Sequence, residues 1–320
     1  MSRPIISSVI PTVNRPDFLP RAVSSALDGM PPKDVEILVI PNGPDSSWKD
    51  SLKPFEGNPS LKIIPIADSN ANIARNVGLR AATGEFVRFL DDDDFLIKDG
   101  AVKQYELIKQ GEVDVVSGNI KSVTQDGRTL AIHKQPKTND FCVAILGPDR
   151  LCLPTAHVYK RSLVENLRWN PNTKVRQDFE WLFELCSSHE IKWKTLDETV
   201  GTWVQHSSER ISKKKSVNDR NKLSVTMLLN AYQRLDQTDR ITPERKEAVA
   251  NGLWGFVHSA FFLEPKHWKS VANTANKMDK QSRPNRNIYS TIPLKYFSPI
   301  TIMWLTFPKR WLYYFINKRK

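Results

Sequence analysis

Apolar positions along the chain follow two spacings that take turns. Short, nearly unbroken apolar runs occur at 5–10, 35–40, 61–66, 86–90 and 113–117, each the length of a buried strand. Between them the apolar residues return every three or four positions. Phe18, Ala22 and Ala26, with Leu19, Val23 and Leu27 beside them, make one helical face. Residues 73–79 open a second helix that stops at Gly84, and Val102, Tyr105, Leu107 and Ile108 outline a third. Pro41-Asn42-Gly43-Pro44 closes the second strand with a strong turn signal. This alternation predicts an α/β fold, a mostly parallel sheet flanked by helices. In such a sheet a nucleotide binds across the carboxyl ends of the strands, here the first, second and fourth.

Past the fifth strand the alternation breaks. Asp126-Gly127 marks a hairpin at 124–128, and 133–155 reads as an irregular, proline-containing stretch. Phe179, Leu182, Phe183 and Cys186 then repeat at i, i+3, i+4 and i+7, so a helix starts near Asp178, and a short strand precedes Trp203. From about 212 the pattern turns helical behind a basic linker, Lys213-Lys214-Lys215. One helix is expected over 217–235. Another follows Thr242-Pro243-Glu244, a good helix start, with Trp254, Val257, Phe261 and Phe262 as its stripe. The expected organisation is an α/β region at 1–210, with regular strand–helix alternation over 1–117 and a broken pattern over 118–210. A helical region at 211–282 and a basic aromatic tail at 283–320 follow.

Charge sharpens the last boundary. Residues 1–206 carry 25 Lys+Arg against 27 Asp+Glu, whereas 207–320 carry 22 against 8, so the net +12 lies wholly in the last third. From Pro265 onward there is a single acid, Asp279, among crowded aromatics that include Trp304, Trp311 and Tyr313. Ile300–Phe307 falls short of the ~18 apolar residues of a spanning helix. Basic residues beside apolar aromatic clusters describe an element lying on an anionic membrane surface. Nucleic acid is the disfavoured partner, since no RNA-binding motif is present; packing against the preceding helices is the alternative for part of the tail. Three cysteines without metal-type spacing (Cys142, Cys152, Cys186) and the lack of a leader pattern before the first strand suggest a reducing, cytoplasmic setting.

The candidate chemistry sits at the end of the fourth strand. Asp91-Asp92-Asp93-Asp94 follows the apolar Phe86–Leu90 run directly. Four adjacent carboxylates repel one another unless a cation neutralises them, and an all-oxygen set suits Mn²⁺ or Mg²⁺. A solvated acidic turn is the plainer alternative. An EF-hand is excluded, because Leu96 stands where its glycine belongs. No Gly-x-Gly-x-x-Gly follows the first strand and no P-loop lysine motif occurs, which argues against dehydrogenases and P-loop enzymes.

Three segments carry a family resemblance. Ser8-Val9-Ile10-Pro11-Thr12-Val13-Asn14-Arg15 resembles the opening of glycosyltransferase family 2, the inverting, nucleotide-sugar-dependent enzymes of the GT-A fold. Ala74-Arg75-Asn76-Val77-Gly78 is similar to its Ala-Arg-Asn-x-Gly segment, and Phe89–Asp94 to its Asp-x-Asp metal motif. The resemblance covers about the first 210 residues and implies a catalytic region there, with a nucleotide-binding half at 1–117 and an acceptor half at 118–210 in which 133–155 would line the acceptor site. It implies a donor site of Pro11, Thr12, Val13, Asn14, Arg15, Asn42, Arg75, Asp91 and Asp92, and a metal held by Asp91, Asp93 and Asp94 with His206 near it. It also implies that Asp178 is the general base, although an N-cap is the bland reading of an acid at a helix start. Val13 stands where the family often has a base-stacking aromatic, Asn42 where it usually has Asp, and Gln177 where it has Glu. The implied activity is transfer from a nucleotide-sugar, UDP-linked by preference, to a glycan or lipid-linked acceptor in bacterial surface polysaccharide synthesis. It would occur peripherally on the inner face of the cell membrane. A nucleotidyltransferase would show a glycine-rich basic loop after the first strand, which Pro11–Pro16 is not; a non-enzymatic membrane-surface binding protein is the third reading.

Overall fold

The computed structural model describes residues 3–206 and 215–318; Lys213 and Lys214 of the expected basic linker lie outside the described residues. The chain divides into two compact units. One comprises Met1–Phe141, Leu151–Leu185 and His189–Glu209, the other Cys142–Arg150, Cys186–Ser188 and Arg210–Lys320.

The first part of the chain runs β1 (Ile6–Thr12), α1 (Leu19–Leu27), β2 (Val35–Pro41), α2 (Trp48–Ser51), β3 (Leu61–Ile63), α3 (Ala71–Ala81) and β4 (Phe86–Phe89). It continues through β5 (Phe95–Leu96), α4 (Lys98–Lys109), β6 (Val115–Thr124), β7 (Thr129–His133), α5 (Phe141–Leu146), β8 (His157–Lys160), α6 (Arg161–Val164), α7 (Gln177–Ser188) and β9 (Trp193–Gln205). Among the described residues one sheet has the order β3-β2-β1-β4-β8-β6-β9-β5, with β7 paired to β6. β1 is parallel to β2 on one side and β4 on the other, with Val9 opposite both Leu38 and Phe89. Their carboxyl ends therefore meet along one edge. β8 enters antiparallel between β4 and β6, so the sheet is mixed beyond its first four strands.

Every residue of β1 and β2 is buried, Ser7, Ser8 and Glu36 included, as expected of mostly apolar strands covered on both faces. One face packs Ile6, Ile10, Ile37 and Val39 against Leu19, Val23, Tyr105 and Ile108 of the helices. α3 covers the other face closely, because a Cβ on Gly78 would stand 2.3 Å from Val9 Cγ1. Only glycine admits that approach.

Three elements differ from expectation. β3 ends at Ile63, although Ile66 still bridges Asn42. The stretch 133–155 contains a helix, α5, whose Phe141, Cys142, Ala144, Ile145 and Leu146 are buried. The strand before Trp203 is long, thirteen residues, and its polar first half sits exposed while β6 holds it in register.

The second unit contains α8 (Val217–Gln237), α9 (Pro243–Ala260), α10 (Pro265–Met278) and α11 (Pro299–Lys318). Ser216 and Thr242 cap α8 and α9 by accepting from Asp219 N and Arg245 N. Trp254 and Trp268 are fully buried, and their indole N–H groups donate to Ser282 and Asn218. No helix among the described residues is long and apolar enough to cross a membrane.

Candidate active site

The ends of β1 and β2 are tied together by one residue. Asn42 donates its backbone N–H (3.0 Å) and its side-chain Nδ2 (2.9 Å) to the Thr12 carbonyl. Pro11, Thr12 and Asn42 are buried, Val13 is half-buried and Asn14 is exposed. Asn14 adopts a left-handed φ of 53°, and its N–H donates to Asp45 Oδ2 at 2.8 Å. A non-glycine residue held there marks a loop whose shape is set by its surroundings. Asp45 was not singled out from the sequence; its place after Asn42-Gly43-Pro44 was the available signal.

The four acids at the end of β4 point to four different partners. Asp91 accepts from Arg75 Nη2 at 2.7 Å. Asp92 faces Arg15 at 3.5 Å, and Asp93 takes both Arg15 and His206 Nε2, the latter at 2.8 Å. Asp94 accepts from Val204 N at 2.9 Å, which pins the acidic turn to the end of β9 and brings His206 to it. The His206 ring rests on Phe18, centroids 4.9 Å apart. Burial pushes the Asp92 carboxyl up to about 7, with Asp93 and Asp91 adding to the rise against the pull of Arg15. Burial would raise Asp93 as well, but Arg15 and His206 outweigh it and hold it below the usual carboxylate range.

Oxygen atoms of Asp91, Asp93 and Asp94 lie within 4.8 Å of one another. Hard carboxylate oxygens at that spacing fit a divalent ion such as Mn²⁺ or Mg²⁺. His206 stands outside this trio, against Asp93.

Arg75, buried on α3, links this cluster to the start of α7. It reaches Asp91 with Nη2 and the Gln177 side chain with Nη1 at 3.2 Å, and its guanidinium lies 4.6 Å from the Trp169 ring centroid. Trp169 stacks in turn on Trp181 at 5.0 Å. Two asparagines of α3 hold the segment that leads to α7. Asn76 exchanges hydrogen bonds with the N–H and carbonyl of Trp169, and Asn72 donates to the carbonyls of Asn170 and Thr173. The Ala-Arg-Asn-x-Gly segment thus supplies a charge, a clamp and a close packing point on one helix. Trp169, Asn72 and Asp45 escape pattern reading because each acts across a long stretch of chain.

Asp178 is the second residue of α7 and not its N-cap; Arg176 occupies that position with a left-handed φ of 61°. Desolvation pushes the Asp178 carboxyl up to about 7. Arg75 and Arg176 pull it down and Asp91 pushes it further up. A carboxyl titrating near neutrality beside a cation-ready acidic cluster is able to accept a proton at physiological pH.

A mixed α/β sheet that gathers carboxylates and two arginines at the carboxyl ends of its first strands defines a transferase of the GT-A architecture. The chain belongs to glycosyltransferase family 2, since the model described as "Glycosyl transferase family 2" matches residues 7–178. Among curated relatives, the poly(ribitol-phosphate) beta-N-acetylglucosaminyltransferase TarP of Staphylococcus aureus is 29% identical over 59% of this chain and 60% of its own. A GalNAc(5)-diNAcBac-PP-undecaprenol beta-1,3-glucosyltransferase of Campylobacter jejuni is 29% identical over 52% of this chain and 55% of its own. Both matches span a little over half of the relative. In fold, the chain resembles S. aureus TarS 1–349 in complex with UDP-GlcNAc, with a TM-score of 0.59 and 17% identity over 88% of this chain and 93% of that one. It also resembles the mannosyltransferase PcManGT of Pyrobaculum calidifontis in complex with GDP-Man and Mn²⁺, with a TM-score of 0.53 and 15% identity over 96% and 84%.

Proposed function

We propose that the protein is a metal-dependent, inverting glycosyltransferase that moves a sugar from a UDP-sugar to a hydroxyl of a glycan or lipid-linked acceptor in bacterial surface polysaccharide synthesis. The reaction takes place on the cytoplasmic face of the membrane. One observation carries the reading: Arg75 touches the acidic cluster through Asp91 and reaches the start of α7 through Gln177, where Asp178 sits. Donor site and base are thereby joined by one side chain.

The donor base lies against Pro11, Thr12, Val13 and Asn42. Because Asn42 Nδ2 is committed to the Thr12 carbonyl, its Oδ1 is left to accept. An acceptor there suits the imide N–H of a uracil, so the amide serves where the family has a carboxylate. Asn14, Arg15 and Arg75 face the diphosphate, with guanidinium forks matched to phosphate oxygens. Asp91, Asp93 and Asp94 would hold Mn²⁺ or Mg²⁺, with Asp92 and His206 beside them. The bound ion supplies Lewis-acid stabilisation to the departing diphosphate. Asp178 takes the proton of the acceptor hydroxyl as the oxygen attacks the anomeric carbon from the face opposite the leaving group, which inverts the centre. The names of the relatives, with their poly(ribitol-phosphate) and undecaprenol-linked acceptors, support the acceptor class.

The test is incubation of the protein with a panel of nucleotide-sugars and Mn²⁺, reading nucleoside diphosphate release. Slow donor hydrolysis, greatest with a UDP-sugar, is expected. Release that is absent for every donor would overturn the reading.

A further inference from the structure

The helical unit carries a surface that sugar transfer does not use. α11 is seated by Ile302 and Met303, both buried, and half-buried Thr306, Arg310 and Tyr314 continue the same side. Arg310 donates to the His258 carbonyl and lies over the Phe262 ring, and Tyr314 meets the same ring at 5.3 Å. At 3.6 residues per turn, Leu305, Pro308, Leu312 and Ile316 fall on the opposite side, flanked by Trp304 and Trp311. Trp304, Leu305, Trp311, Leu312 and Ile316 are between 45% and 61% exposed. The segment leading into the helix adds Ile292, Tyr296 and Phe297, all exposed. A surface helix ordinarily turns a polar face outward; this one turns a largely apolar one. A contiguous exposed apolar face of this kind marks an interaction site.

We propose that this outward face of α11, with Tyr296 and Phe297, docks into the headgroup layer of an anionic phospholipid bilayer. Charge selects the occupant. Exposed Lys295 and Lys309 border the face, and the chain from Pro265 onward holds 12 Lys+Arg against one acid. A second copy would bring the same positive charge to the contact, whereas an anionic leaflet attracts it. Tryptophan and tyrosine at the rim suit the boundary where one end is apolar and the other wet. The helix lies on the bilayer and does not cross it, having Pro308 in its middle and too little apolar length. This deepens the membrane-side location proposed above, yet it rests on the helical unit alone. Its failure would remove the membrane and leave sugar transfer standing.

The experiment is co-sedimentation of the full chain with vesicles of phosphatidylglycerol and phosphatidylcholine, against phosphatidylcholine alone, without donor or acceptor. Binding to the anionic vesicles is expected, weakened but not abolished by salt. The triple variant Leu305→Ser, Leu312→Ser, Ile316→Ser should bind at least about tenfold more weakly while its thermal melt is unchanged. Should the variant fold poorly, quenching of wild-type tryptophan emission by bromine-labelled acyl chains gives an independent reading, and quenching is expected. The proposal is overturned if the wild type stays in solution with anionic vesicles, or if the triple variant binds as tightly as wild type. It is equally overturned if tryptophan emission is unquenched, or if the chain is a dimer that the triple substitution splits and no lipid binding is seen.

Discussion

Asp93 is the residue on which the proposed donor site turns, because an arginine and a histidine already converge on it. Arg15 and His206 hold its carboxylate ionised, and that is the state in which it can ligate a metal. Asp93→Ala should lower transfer by roughly a hundredfold or more, the scale of several kcal/mol of lost charge stabilisation, with far-ultraviolet circular dichroism unchanged. Near wild-type turnover would end the metal assignment. Asp178 makes a different demand, that of protonation state. Its carboxyl is pushed up to about 7, so as the proposed base it would be half neutral near pH 7 and fully available only above it. The kcat/KM profile should therefore rise through an acidic limb near pH 7. Asp178→Asn should remove both the activity and that limb, whereas a pH-independent rate in the wild type would exclude it as the base.

At the level of elements, α3 is the organiser. Its Asn76 satisfies both backbone groups of Trp169, which supports the ring beneath Arg75. Asn76→Ala leaves a buried N–H and carbonyl without that partner, so unfolding stability should fall by about 1–3 kcal/mol. Hydrogen exchange should quicken first at residues 169–173. If exchange there were unchanged, the clamp would be incidental. The strands read in advance were β1, β2, β3, β4 and the start of β6, each marked by a short run of mostly apolar residues; β1, β2 and β4 are buried on both faces. The polar first half of β9 has no such constraint, since pairing with β6 and not side-chain burial keeps it extended. α5 was hidden by the prolines around it and by its six-residue length. Asp91–Asp94 stood out because charge at a strand end is local information, whereas Asp178 was singled out through the family resemblance, its place at a helix start suggesting only an N-cap. That Arg75 joins them is not local: Gln177 lies 102 positions further along the chain.

On the scale of the whole molecule, the site works against the fold that carries it. Asp92 and Asp178 both sit at about 7 in the folded chain against 3.8 for an ordinary aspartate, with burial as the first cause. A carboxyl whose folded value is raised binds its proton more tightly in the native state. Its stability contribution is whole below about 4 and is lost as pH climbs through about 7. Asp93, held low, contributes in the opposite sense and loses its contribution only in acid. The metal-free protein should accordingly melt at a progressively lower temperature between pH 4 and 7, by its acidic site. A divalent ion held by these carboxylates would reverse the sign, because a cation among ionised carboxylates replaces their repulsion with attraction and stabilises the folded state that binds it. Mn²⁺ with a UDP-sugar should raise the melting temperature more at pH 7.5 than at pH 5, where a protonated Asp92 no longer adds its negative charge beside the ligating carboxylates. The measurement is a thermal melt with and without chelator across that range. A ligand-induced shift independent of pH would show that the cation binds away from Asp92 and its acidic neighbours. The same shift surviving in Asp93→Ala would place the nucleotide outside this cleft.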